Sequence, residues 1–283
     1  MKLQRNYKLV VVDPNNLETD VTPPFTLHFT VTRNNLATAN TGHIELMNLG
    51  ADTRQRIYKD RFDMSLNWRC ALYAGYGTNL YLVLSGNIHE AFSYKQGPNW
   101  ITEIDVFDGA YAFQNGFVSQ AVAGGADKSE TVRQIVGTLP GIQTGFLGAY
   151  AQGEGKRGQA LFGPTREVLM DQTEGNFFID NGVLHVSSDF EYDGSETLDL
   201  DEGQLLQTPQ RRDSSLSIVI LFYPQARVNV AAILNSLYPI YNGTYKICGI
   251  HHDVIISESE NGKAETSLDL LLLGKAFKAL GNT

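Results

Sequence analysis

Between Phe25 and Thr32 apolar and polar residues trade places without a fault. Phe25, Leu27, Phe29 and Val31 fall on one face, and His28 falls on the other with the threonines. A period of two marks a strand with one buried face. Shorter runs of this kind lie at Lys8–Val12 and Gly42–Asn48. Asp63–Ala74 alternates again, with Met64, Leu66, Trp68, Cys70 and Leu72 together, and Tyr81–Tyr94 and Asn99–Ala110 follow. Gly75-Tyr76-Gly77 and Gly97-Pro98 supply turns between the runs. Gly50–Lys59 breaks the alternation and reads as a short surface helix. Roughly six strands with turn signals in about 110 residues predict a small antiparallel barrel or sandwich.

The middle of the chain changes period. Val132, Ile135, Val136 and Leu139 recur at spacings of three and four, so Ser129–Leu139 is expected to be a helix capped by Ser129 and stopped by Pro140-Gly141. Phe146–Gly163, rich in Gly and Gln, is expected to be a mobile loop. Pro164–Thr173 is a second short helix with Pro164 in its first turn. Asn181-Gly182 sits between two apolar runs in Phe177–Val186 and marks a tight hairpin.

The last part returns to strands. Ser217–Tyr223 is a continuous apolar run ending at Pro224, and Arg227–Leu234 starts Val-Asn-Val from Val228, which favours strand over helix. Asn242-Gly243 turns the chain into a long strand, Thr244–Glu258. Asn261-Gly262 turns it back into Ala264–Gly274, and Lys275–Leu280 is expected to be a short closing helix. The pattern thus predicts a mainly β protein whose strand-rich first and last thirds, a possible pseudo-repeat, flank a small α+β module. The expected boundaries are residues 1–115, 116–195 and 196–283.

Composition narrows the function. The net charge of −9 and pI near 5.1 oppose sequence-independent binding to nucleic acid, because phosphate backbones repel an acidic chain. Two cysteines, Cys70 and Cys248, have no metal-ligand spacing and read as small buried hydrophobes; a disulfide between them stays open. The N-terminal residues lack the apolar core of a signal peptide, and no apolar run approaches a membrane span. Asn242-Gly243-Thr244 fits a glycosylation acceptor but, without a secretory signal, reads as a turn.

Candidate chemistry is thin. His251-His252-Asp253 is a tempting cluster, but neighbours on a strand point to opposite faces, so the two histidines cannot share a metal. No G-x-S-x-G elbow occurs. Gly124–Asp127 is Gly-rich but lacks the Lys and Ser/Thr of a phosphate loop, and Gly153–Gly158 sits in a polar stretch with no strand directly before it and reads as a flexible loop. Glu103 and Asp105 share one solvated strand face. The acidic run Glu191, Asp193, Glu196, Asp199, Asp201 and Glu202 reads as a solvated connector without the order of a calcium loop. Trp68 and Trp100 are expected to pack inward rather than bind sugar. No catalytic, cofactor-binding or metal residue is therefore assigned.

Several segments, taken in order, resemble one family. Asn35–Leu49 (NLATANTGHIELMNL) runs into Asp52-Thr53-Arg54-Gln55-Arg56-Ile57. Ala74-Gly75-Tyr76 and Leu84-Ser85-Gly86-Asn87-Ile88 follow, and Asn242–Asp253 (NGTYKICGIHHD) and Leu270-Leu271-Leu272 come near the end. Together they resemble baseplate hub proteins of contractile-tailed phages and related tail systems. The stretch after Pro224 departs from that family in lacking a clear Gly turn. At 283 residues the chain is short for a hub, so accessory domains are expected to be absent. The resemblance implies two tail-tube-like antiparallel β-barrels in each subunit and a homotrimer whose pseudo-sixfold ring docks on a sixfold tail tube and accepts a threefold spike. It implies a non-enzymatic protein of the virion baseplate, assembled in the host cytoplasm, without cofactor. The implied partners are the tail tube and the spike or needle, with tape-measure and baseplate wedge proteins as further candidates and DNA only as passing cargo. A tail-associated cell-wall hydrolase and another tube or distal-tail ring protein are the alternatives.

Overall fold

The computed structural model describes residues 4–63, 66–155, 157–212, 214–258 and 262–273. The first third contributes β1 (Arg5–Val12), β2 (Glu18–Val21), β3 (Leu27–Asn34), β4 (Thr41–Met47), α1 (Ala51–Arg56), β5 (Arg69–Tyr76), β6 (Asn79–Gln96), β7 (Asn99–Phe107) and α2 (Ala110–Asn115). The alternation in β3 holds: Leu27, Phe29 and Val31 are fully buried, His28 and Thr30 are partly exposed, and Thr32 is exposed. β6 is long enough to serve two partners. Its first half pairs with β5 and its second half with β7, and Asn87 opposes both Arg69 and Phe107. Gly86 sits at that changeover, where a Cβ would lie 2.7 Å from the Phe107 carbonyl oxygen.

The middle is β8 (Phe117–Val122), α3 (Lys128–Val136), β9 (Gln143–Leu147), β10 (Gln159–Pro164), α4 (Thr165–Thr173), β11 (Phe177–Asp180) and β12 (Val183–Val186). The hairpin at Asn181-Gly182 forms as the sequence predicts, with both residues at positive φ (52° and 76°). α3 packs Val132, Ile135 and Val136 inward, with Leu139 just beyond its end.

The last third is β13 (Asp193–Asp201), β14 (Gln210–Arg212), β15 (Ser215–Leu221), β16 (Val230–Asn235), β17 (Gly243–Ile256) and β18 (Ala264–Leu272). The protein is mainly β, as expected. The two strand-rich thirds belong, however, to one 13-stranded sheet, because β17 pairs with β18 on one side and β3 on the other. β17 also spans two cores. Ile247 and Ile250 pack into the core of the last third, and Val254 and Ile256 into that of the first. A third core lies under the middle helices. Among the described residues no helix is long and apolar enough to cross a membrane.

Several expectations need correction. The strand expected from Asp63 starts only at Arg69. Asp60 turns the chain by accepting from Phe62 N, and Leu66 is exposed. Gly75 and Tyr76 lie in β5, and the turn is left to Gly77. The cap of α3 is Asp127, whose carboxylate accepts from Ser129 N, and not Ser129. The expected loop 146–163 ends in β10, because β8 supplies it with an antiparallel partner. The expected acidic connector is largely β13: it pairs in parallel with β16 and turns Leu200 into the core. Trp100 is exposed, and the Arg54 guanidinium lies 3.7 Å above its ring, whereas Trp68 does pack on the first core. Cys70 and Cys248 are both free thiols. Met64, Asn261 and the expected helix Lys275–Leu280 lie outside the described residues.

Candidate functional site

The histidine pair separates as strand geometry requires. His251 is exposed and hydrogen-bonds Thr32 Oγ1. His252 is fully buried beside Phe222, with Nδ1 at 2.9 Å from Thr266 Oγ1 and Nε2 without a partner. Burial holds its pKa well below the usual imidazole range, so it is a neutral core residue. The two Gly-rich stretches bond each other: Gly125 N donates to Gly155 O and Gly155 N to Ala126 O. Those amides are not aimed at a phosphate. The acidic run disperses to separate local partners. Glu196 pairs with Arg227, Asp201 and Gln204 form a capping box, and Glu191 accepts from Ala149 N.

The polar face of the shared sheet brings other groups together. β4 and β7 pair so that His43 opposes Asp105 and Glu45 opposes Glu103. His43 Nδ1 lies 2.7 Å from Asp105 Oδ1, and its Nε2 faces Glu45 Oε1 at 3.4 Å. His28, on the neighbouring β3, bridges Glu45 and Asp253, and Lys263 lies between Asp253 and Glu265. Burial disfavours the charged His43 ring, but Asp105 and Glu45 outweigh it and raise its pKa. Burial likewise works against the Asp253 carboxylate, and Lys263 and His28 prevail and lower its pKa.

Two buried ionic groups tie the middle module to the sheet, and sequence reasoning missed both. Arg33 donates Nε and Nη2 to the two carboxylate oxygens of Asp180, each at 2.7 Å. Its Nη1 reaches the carbonyl of Ala226 at 3.2 Å. Asp108 lies against this pair and accepts from Gly182 N. Burial, with Asp180 adding to it, pushes its carboxyl up to about 7. In the second group, fully buried Lys246 donates to Ser188 O at 2.6 Å and Ser187 Oγ at 3.3 Å, and burial lowers its pKa. One signal was available: Arg33 continues the inward positions Leu27, Phe29 and Val31, where a charge must find a partner.

Between the modules lies a cleft of about 640 Å³ bordered by Tyr81, His185, Glu196, Tyr223 and Arg227. Apolar side chains also face outward in two places. Phe117 and Phe162 meet edge to face on the β8–β10 ribbon, and Leu237, Tyr238 and Ile240 crown the β16–β17 connection. Exposed apolar groups of this size are characteristic of surfaces that another protein covers.

No family model matches the chain, and no curated protein matches it significantly. Solved structures do. The 43 kDa tail protein of prophage MuSo2 from Shewanella oneidensis superposes with a TM-score of 0.62 at 9% identity, covering 94% of this chain and 97% of that one. The tail protein from Neisseria meningitidis MC58 gives 0.59 at 11% identity, with 95% and 97% covered. The Escherichia coli c3393 protein gives 0.53 at 10% identity, with 88% and 74% covered; it is a type VI secretion component described as structurally similar to the T4 tail proteins gp27 and gp5. From first strand to last, the chain shares its fold with phage tail proteins.

Proposed function

We propose that the protein is a structural subunit of a phage or phage-like tail, and specifically the baseplate hub that joins the tail tube to the spike. The observation that supports this reading is a fold match covering 94% of this chain and 97% of a phage tail protein. The three proposed units are residues 1–115, 116–195 and 196–283, and Phe222, Val254 and Ile256 of the last complete the core of the first. Three copies, each with two tube-like units, offer a sixfold tube a near-sixfold ring and a spike a threefold face. The middle module is fixed to the sheet by the Arg33–Asp180 pair, as a ring component under load requires. The net charge of −9 suits a channel wall, because an acidic lining repels passing DNA rather than holds it. The subunit acts without catalysis or cofactor, inside the virion tail after assembly in the host cytoplasm. Its partners are its own copies, the tube and the spike.

The test is the sedimentation mass of the purified chain, alone and with the tail-tube protein of the same tail. A trimer, or a monomer that trimerises on the tube or spike, supports the hub. A stable hexamer moves the assignment to a tube or distal-tail ring. A monomer without affinity for the tube overturns the tail reading and brings the hydrolase alternative forward.

A further inference from the structure

The groups on the polar face of β4 and β7 have a property that a row of surface ion pairs lacks. One ring nitrogen of His43, one carboxylate oxygen of Glu45 and one of Glu103 all lie within 4.8 Å of one another. Zinc–nitrogen and zinc–oxygen bonds of about 2.0–2.2 Å place the ligand atoms of a tetrahedral ion about 3.4 Å apart; His43 Nε2 and Glu45 Oε1 already stand at 3.4 Å, and Glu103 reaches the ion by a side-chain adjustment. The three side chains come from two hydrogen-bonded strands in fixed register, so no loop has to close to bring them together. Each also has an orienting partner of its own. Asp105 takes the Nδ1 side of His43, which leaves Nε2 turned toward Glu45. His28 holds the second oxygen of Glu45 at 3.3 Å. Tyr94 donates to Glu103 Oε1 at 2.6 Å. A carboxylate behind the far nitrogen of a histidine is the usual support of a metal-ligating imidazole, fixing its tautomer and raising its basicity.

The charge balance points the same way. Glu45 and Glu103 stand directly opposite each other across the strand pair, and like charges so placed destabilise a sheet. Among the described residues the lysine of this network, Lys263, forms its ion pairs with Asp253 and Glu265 rather than with Glu45 or Glu103. The alternative is a self-contained hydrogen-bond network in which His43 and His28 offset their neighbours. It leaves four carboxylates, Glu45, Glu103, Asp105 and Asp253, around two imidazoles, with Lys263 paired to Asp253. A doubly charged ion between Glu45 and Glu103 cancels both.

We propose that His43, Glu45 and Glu103 bind one divalent transition-metal ion of the zinc class, with Asp105, His28 and Tyr94 as the supporting shell. The imidazole ligand selects zinc, cobalt or nickel over calcium and magnesium, which take oxygen ligands. Water completes the coordination, because the three protein ligands are only half-buried. The ion cross-links β4 to β7 and so stiffens the sheet of the first third. This inference stands whether or not the protein is a hub.

The experiment is a calorimetric titration of the full chain, first stripped with EDTA, with zinc chloride, followed by cobalt chloride with visible absorption as the readout. One ion per chain is expected in this site, with a cobalt spectrum that His43→Gln changes. Each of His43→Gln and Glu103→Gln should weaken binding about tenfold or more, whereas His251→Ala should leave it unchanged. Equal affinity and stoichiometry for the wild type and the double variant His43→Gln with Glu103→Gln overturn the proposal, as does an absence of binding at millimolar zinc. Should the variants misfold by circular dichroism, anomalous scattering from zinc-soaked wild-type crystals decides: a peak between the three side chains supports the site, and its absence refutes it.

Discussion

Asp180→Ala tests the junction between middle module and sheet most sharply. The Arg33 side chain is 2% exposed and that of Asp180 9%, so the pair is out of reach of solvent. The substitution removes two charge-assisted hydrogen bonds of 2.7 Å and leaves the guanidinium with the carbonyls of Ala226 and Val83, at 3.2 and 3.5 Å. Stranding one member of a buried pair costs about 3–5 kcal/mol. Asp108 lies close enough to ionise against the orphaned arginine, which places the expected loss at the lower end, about 3 kcal/mol. For a chain of this size that is a fall of roughly 6–12 °C in thermal midpoint. The double replacement Arg33→Met with Asp180→Leu exchanges the pair for apolar volume and should cost less than Asp180→Ala alone, since such exchanges are often neutral. Urea unfolding followed by circular dichroism measures all three. An Asp180→Ala midpoint within about 1 kcal/mol of wild type, or a double variant worse than the single, would refute the assignment of this pair as the desolvated tie.

Three further outcomes follow from the same physics. Because the folded Asp108 carboxyl is raised to about 7, the folded state holds a proton that the unfolded state releases near pH 4. Its contribution is therefore full below the unfolded pKa and is lost as pH rises to about 7; Asp108→Asn should remove this fall, read as the difference between wild-type and variant urea midpoints at pH 5 and pH 8. Gly86→Ala drives a methyl into the Phe107 carbonyl at the β6 changeover and should cost about 1–3 kcal/mol in the same assay, because the strand backbone it meets cannot move aside as a flexible side chain would. Phe162→Ser, at a ring 75% exposed, should change stability by no more than about 0.5 kcal/mol; sedimentation should show lost self-association or tube binding if this surface is covered on assembly.

What was readable in the sequence was whatever one buried face makes periodic. β3, β4 and β7 write their burial into alternate positions, and Asn181-Gly182 announces its turn by needing two positive φ angles. Elements without that imprint went unread. β14 is exposed along its length, and β2 is a four-residue edge strand with one buried residue. In β13 the outward acids concealed Leu198 and Leu200, whose burial depends on a parallel neighbour 30 residues and more downstream. Arg33 and Lys246 broke the rule that inward positions are apolar, and such breaks mark where one core ends against another module. The His43, Glu45, Glu103 and Asp105 cluster was half legible. Glu103 and Asp105 shared a face in the sequence, but only the β4–β7 register brings the other two to them.

The seam between β3 and β17 has a consequence for how the chain matures. His28 meets Asp253 across a sequence separation of 225, so that edge of β3 stays bare until β17 has left the ribosome. An N-terminal half emerging first presents an open, apolar-backed strand edge of the kind that recruits wrong partners. β17, made more than 200 residues after β3, is thus the strand that closes the first core. A truncated product lacking them is expected to be lost to aggregation or proteolysis rather than to compete for a place in the assembling particle.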